Sequence, residues 1–120
     1  MPSNPITIYG IPNCSSVKKA REWMTTHQVA HDFHDFKKQG LNPEHLSQWL
    51  SHVDWRVLLN RKGTTWRGLD AATQAKAQDA ASAQQLMLDW PSLVKRPVVV
   101  KGQRVVVGVN PQAWLSVIDQ

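Results

Sequence analysis

Cysteine occurs once in these 120 residues, at position 14, so the chain has no internal disulfide. Nothing in that usage calls for an oxidising compartment, and the cytoplasm is the expected location. No apolar run approaches the roughly 18 residues that a membrane-spanning helix requires, so no membrane partner is expected. Met1 to Pro5 is short and polar, without the basic-then-apolar succession of a secretory signal. Long basic tracts are missing as well. The net charge is +5, but the cations are scattered from Lys18 to Arg104, the pattern of a solvated surface, and nucleic-acid binding is not expected. That charge favours anionic partners in general. Internal repeats and low-complexity linkers are also lacking, and 42% apolar residues are enough for one core, so a single domain over residues 1–120 and a monomer are expected.

What is present reads as strand, helix, strand. Ile6 to Tyr9 alternates apolar and β-branched residues and stops at Gly10. Ser15 to about His27 carries Val17, Ala20 and Met24 at helical spacing, and a second strand is expected near His31–Asp35. The middle reads as helical. Asn42-Pro43 is a cap followed by a proline, with Leu46, Trp49, Leu50 and Val53 as the apolar stripe behind it. Asp70 opens an alanine- and glutamine-rich helical stretch, and Ser82 with Gln85 forms a capping box for a helix burying Leu86 and Trp90 and ending at Pro91. Val98–Val100 and Val105–Val107 then flank a turn in which Gly102 suits the first central position. Asn110-Pro111 starts a last helix with Trp114, Leu115 and Ile118 inward. The order is that of an α/β, thioredoxin-like fold with an inserted helical subdomain: a core over about 5–36 and 91–120, and an insertion over about 41–90.

Cys14 falls where a strand's loop meets a helix N-terminus. The open N–H groups there, the helix dipole and Lys18 one turn on all favour the thiolate, the nucleophilic form. A lone cysteine can also serve as a small buried hydrophobe. Its neighbours Asn13, Ser15 and Ser16, after a proline-containing loop, are not core composition. Arg96-Pro97 precedes the valine hairpin, and a proline opening a strand can be cis or trans. The segment from Leu59 to Arg67 is basic and rich in hydroxyls; Arg61 in it suits an oxyanion or carboxylate, although such a loop can equally be merely solvated. His27-x-x-x-His31 is the one metal-like spacing. His31 and His34 fall on a strand with opposite facing, and no second cysteine completes a set, so no metal site is expected. The six tryptophans lie mostly on apolar stripes; Trp66, in the basic loop, is a candidate to line a site.

Tyr9-Gly10-Ile11-Pro12-Asn13-Cys14 with Val17-Lys18-Lys19-Ala20, then Leu58-Leu59-Asn60-Arg61 and Gly63-Thr64-Thr65-Trp66-Arg67, then Pro91 to Val98, resemble the arsenate reductase (ArsC) family. The similarity is greatest to its YffB-type branch, beside the Spx regulators, and it runs from Ile6 to the last helix. The resemblance implies a thioredoxin fold with a helical insertion and a single catalytic cysteine, Cys14, used with glutathione. It implies Asn13, Lys18, Arg61, Arg96 and Pro97 as substrate-binding residues, with Pro97 as a cis-proline facing the cysteine. It implies no bound cofactor, glutathione as co-substrate, and a small thiol, an oxyanion, a glutaredoxin or a protein thiol as partner. Three positions depart from the pattern. Gly10 stands where arsenate reductases of the family carry a histidine, Asn110 where they carry an arginine, and Val17 where Spx regulators carry the second cysteine of their switch. The expectation is therefore a glutathione-dependent thiol reductase, with weak arsenate reduction or a non-catalytic, Spx-like interaction module as alternatives.

Overall fold

The computed structural model describes residues 5–118, which divide into two compact units. One is built from both ends of the chain, up to Gly40 and from Arg96 onward; the other is Leu41–Lys95.

In the first unit β1 (Ile6–Gly10) leads through a turn into α1 (Ser15–Thr26), and β2 (His31–Asp35) returns parallel to β1. The valine segments form β3 (Val98–Lys101) and β4 (Arg104–Val107), antiparallel to each other, with β3 antiparallel to β1. The sheet order is β2-β1-β3-β4, the expected thioredoxin-like arrangement. Lys101 pairs with Arg104 across a two-residue turn, and Gly102 takes φ +60 there, a conformation glycine adopts without penalty. The alternation of β1 sends Ile6 and Ile8 to one face. There they meet Val17, Ala20 and Met24 of α1, Val99 of β3, and Trp114 of α8 (Pro111–Ile118). The Trp114 indole meets Trp23 edge-on, with ring centroids 5.3 Å apart. Leu115, expected inward, is 45% exposed. Neighbouring residues stand about 100° apart around a helix, so the face that buries Trp114 and Val117 turns Leu115 to solvent.

A short helix follows β2 directly, α2 (Phe36–Gln39). It is set by Asp35, whose carboxylate accepts the Lys37 N–H at 2.8 Å. The sequence signal was an Asp at the end of the strand, in cap position.

The second unit is helical but more broken than the pattern suggested. In α3 (Pro43–Leu50) the cap is as expected, with Asn42 Oδ1 accepting from Glu44 N–H at 2.8 Å. Leu46 and Trp49 are fully buried; Leu50 and Val53 are only half-buried, because the helix ends at Leu50. Next come α4 (Trp55–Leu58), α5 (Thr64–Gly68) and α6 (Ala71–Gln74), none longer than five residues. The alanine-rich stretch after Asp70 thus stops at Gln74, since propensity without a buried face does not sustain a helix. The capping box of α7 (Ala80–Asp89) lies one turn earlier than expected. Asp79 is the cap, accepting from Ser82 N–H at 2.9 Å, and the Ser82 hydroxyl accepts the Asp79 N–H at 3.0 Å. Leu86 is buried as expected, whereas Trp90 follows the helix as its C-terminal cap residue and is 39% exposed. A 3-10 turn, Pro91–Leu93, closes the unit.

Candidate functional site

β1 and β2 are parallel, so both end at the same edge of the sheet, and β3 begins there. Cys14 lies just beyond that edge, four residues after Gly10. It is the N-cap of α1, in extended conformation (φ −103, ψ 125), and its carbonyl accepts the Lys18 N–H at 2.9 Å. Cap positions are usually filled by a side-chain oxygen that satisfies the first-turn N–H groups. The Cys14 side chain makes no such bond, so its sulfur is uncommitted and the first turn keeps open donors. The residue is free and half-buried, with one side against the core cluster of Ile6, Ile8 and Val17. That position is neither the fully buried hydrophobe nor a fully solvated thiol.

Arg96–Pro97 is a cis peptide bond. Pro97 is buried, and its carbonyl accepts the Gly108 N–H at 2.8 Å, fastening the start of β3 to the end of β4. Tyr9 pairs with Val98, so the register places Pro97 beside Gly10, at the Cys14 edge of the sheet. Arg96 is half-buried at that same edge, and Asn13 and Lys18 are exposed on either side of the cysteine in sequence. Five of the residues singled out from the sequence therefore belong to one unit and to one end of its sheet.

Arg61 belongs to the other unit. It is exposed, and its guanidinium stands 5.9 Å from the Trp55 ring centroid, with Arg56 at 5.1 Å over the same ring. Its loop is pinned: Asn60 N–H donates to Leu93 O at 2.7 Å, Lys95 N–H to Leu58 O at 2.8 Å, and Lys62 N–H to Asn60 Oδ1 at 3.1 Å. Gly63 is approached closely: a Cβ there would sit 2.8 Å from Asn60 Nδ2, so the Asn60 side chain would have to shift. Trp66 is half-buried, and its carbonyl accepts from Gln74 Nε2 at 2.8 Å.

Two features of the site end were not singled out from the sequence. Asp35, the buried carboxylate of the sheet unit, is the register partner of Gly10 and so shares the Cys14 edge. Tyr9, His34 and Phe36 form an aromatic cluster there, with Tyr9 and His34 centroids 4.9 Å apart. Burial pushes the Tyr9 phenol above its usual 10.0, partly offset by a hydrogen bond from the Thr7 side chain. Only the alternation of β1 and β2 hinted at that cluster.

Comparison with known proteins gives a consistent picture. The ArsC family model matches residues 9–117. A solved structure of a YffB protein is 46% identical with TM-score 0.88, covering 93% of this chain and 97% of that one. An arsenate reductase (ArsC) related protein from Brucella melitensis is 44% identical with TM-score 0.74, covering 100% of this chain and 99% of that one. The global transcriptional regulator Spx of Streptococcus agalactiae is 30% identical over 107 residues, 88% of this chain and 77% of that protein.

Proposed function

The chain belongs to the ArsC family, and from that premise we propose that it is a glutathione-dependent thiol reductase working through Cys14. The observation that carries this reading is the uncommitted, half-buried sulfur at the start of α1, at the sheet edge where cis Pro97 and Arg96 also lie. With a single cysteine, the chain has no resolving thiol of its own. The second thiol comes from solution, and glutathione is the co-substrate.

The chemistry balances in two exchanges. The Cys14 thiolate attacks the glutathionyl sulfur of a mixed disulfide, forming a Cys14–glutathione disulfide and expelling the substrate as its thiolate. A second glutathione thiolate then attacks the glutathionyl sulfur on Cys14, releasing oxidised glutathione and restoring the Cys14 thiolate. Both electrons that reduce the substrate come from glutathione, and the expelled thiolates take protons from water. Arg96 offers a guanidinium to an anionic substrate.

Arsenate is the less favoured substrate. Gly10 supplies no imidazole, and Asn110 is occupied as the cap of α8, its Oδ1 accepting from Ala113 N–H at 3.1 Å. The competing reading is a regulatory interaction module, favoured by the similarity to Spx. Val17 stands at the second position of a Cys-x-x-Cys pattern, so a two-cysteine switch is unavailable to this chain.

The test is turnover of a glutathionylated peptide by the purified protein with reduced glutathione, followed as peptide thiol released. Wild type is expected to turn over and to accumulate a glutathione adduct on Cys14, and Cys14→Ser to do neither. A wild-type protein that forms no adduct and whose alkylation by iodoacetamide is no faster than that of a free thiol at neutral pH overturns the enzyme reading in favour of the interaction module.

A further inference from the structure

β4 (Arg104–Val107) is the outermost strand of the sheet, and among the described residues no strand pairs with its outer side. The hairpin register decides which backbone groups face that side. Gly108 N–H donates to Pro97 O at 2.8 Å, so 97 and 108 form a hydrogen-bonded pair. Such pairs alternate with non-bonded ones along an antiparallel ladder. Val106 therefore bonds to Val99 and Arg104 to Lys101, whereas Val105 and Val107 aim their N–H and C=O groups away from β3. Val106 turns its side chain to the core cluster, which puts those of Val105 and Val107, both half-buried, on the opposite face of the sheet. Open edges are commonly guarded by charge, proline or a bulge. The other edge, β2, carries Asp32 and Asp35 within five residues. β4 has no such guard: from Val105 to Ile118 the chain holds no charged residue. Val109 and Leu115, the exposed large apolar side chains described in this unit, lie in the same stretch.

We propose that β4 is a docking edge for a second copy of this chain, paired antiparallel with the same strand about a two-fold axis at Val106. In that register Val105 and Val107 of one copy face Val107 and Val105 of the other. Each of these two pairs exchanges both backbone hydrogen bonds, and the four valines adjoin on one face. The charge pattern selects this occupant. A charged peptide finds no complementary charge on an edge whose one charged residue is Arg104. Two copies in this register set each Arg104 opposite Gly108, not opposite the other Arg104, so like charges stay apart. β4 ends at the Cys14 end of the sheet. Antiparallel pairing thus directs the two Cys14 ends away from each other, and the joint sheet forms without a disulfide between copies. The edge is short, so the buried area falls below the roughly 1,600 Å² of a standard interface. Each copy also carries a net charge of +5. The dimer is therefore weak, with Kd on the order of 0.1–1 mM at low salt, and tightens as salt screens that repulsion.

The experiment is sedimentation of the full chain under reducing conditions, from about 10 µM to 2 mM. The mass is expected to rise from one chain toward two, and to rise further with added salt. Val105→Pro removes an N–H that points outward and leaves the bonds to β3 intact. Each dimer then loses two hydrogen bonds, so Kd is expected to rise by about tenfold or more. A wild type monomeric at every concentration and salt overturns the proposal and leaves the edge to a strand of another protein. A dimer that Val105→Pro does not weaken overturns the assignment to β4. Should the variant unfold, amide exchange of wild type decides. Val105 and Val107 are expected to exchange more slowly as concentration rises, while Val106, bonded within the hairpin, does not change. Protection that appears elsewhere and spares Val105 and Val107 overturns the register.

Discussion

A Cβ built on Gly10 would lie 2.5 Å from Cγ2 of Val17. These two positions are the ones where the chain departs from a family histidine and from the second cysteine of Spx, and in this fold they occupy each other's space. Gly10 is buried at the end of β1, and Val17 is fully buried in the first turn of α1. The absence of a side chain at 10 lets the helix that carries Cys14 settle onto the strand. Gly10→Ala is expected to destabilise the protein by about 1–3 kcal/mol through overpacking. Combining it with Val17→Ala should cost less than the sum of the two single changes. Urea unfolding of the two singles and the double measures the coupling, and strict additivity would contradict the close approach.

Arsenate turnover with glutathione is expected to be weak beside disulfide exchange. Gly10 and Asn110 remove an imidazole and a guanidinium, and one lost donor to a developing oxyanion typically costs on the order of 3–4 kcal/mol. Coupling arsenite production to purified protein and glutathione checks this, and turnover comparable with the disulfide reaction would refute it.

Restoring arginine at 110 should not simply restore that activity. Asn110 caps α8 through Ala113, and Asn110→Arg forfeits the cap at about 1 kcal/mol. A lowered melting temperature with little gain in arsenate turnover is the expected outcome.

Arg96→Ala should raise KM for an anionic mixed disulfide more than it lowers kcat, because the guanidinium is assigned to binding. Steady-state kinetics with an acidic and a neutral glutathionylated peptide separate the two. Equal KM effects on both peptides would argue for a structural role.

The helical unit should lose stability in acid. Hydrogen bonds from the Thr73 side chain and backbone hold the Asp70 carboxyl below its usual 3.8, and bonds from the Ser82 backbone and side chain do the same for Asp79. A carboxyl with a lowered folded value contributes stability that is present above about 3.8 and lost as pH falls below it. Asp79→Asn keeps a capping oxygen but does not titrate, so it should flatten the decline of the urea midpoint between about pH 4 and 2.

Local chemistry determined much of this protein from the sequence alone. The alternation in Ile6–Tyr9, the three-and-four spacing of Val17, Ala20 and Met24, and the glycine at 102 each specify an element through contacts within a few residues. So do the caps at Asn42 and Asn110, and with them the succession of elements along the chain and the place of Cys14 at a helix start were legible. What the tertiary structure decided are relationships between residues distant in sequence or competing for the same local role. Ser82 looked like a cap until Asp79 took that place, and Leu115 looked inward until Trp114 claimed the core-facing side. The reason position 10 favours glycine lies in Val17, on a different element. A sequence records each residue's preferences; which preference prevails depends on the space its neighbours leave, and that space is set only when the strands have paired.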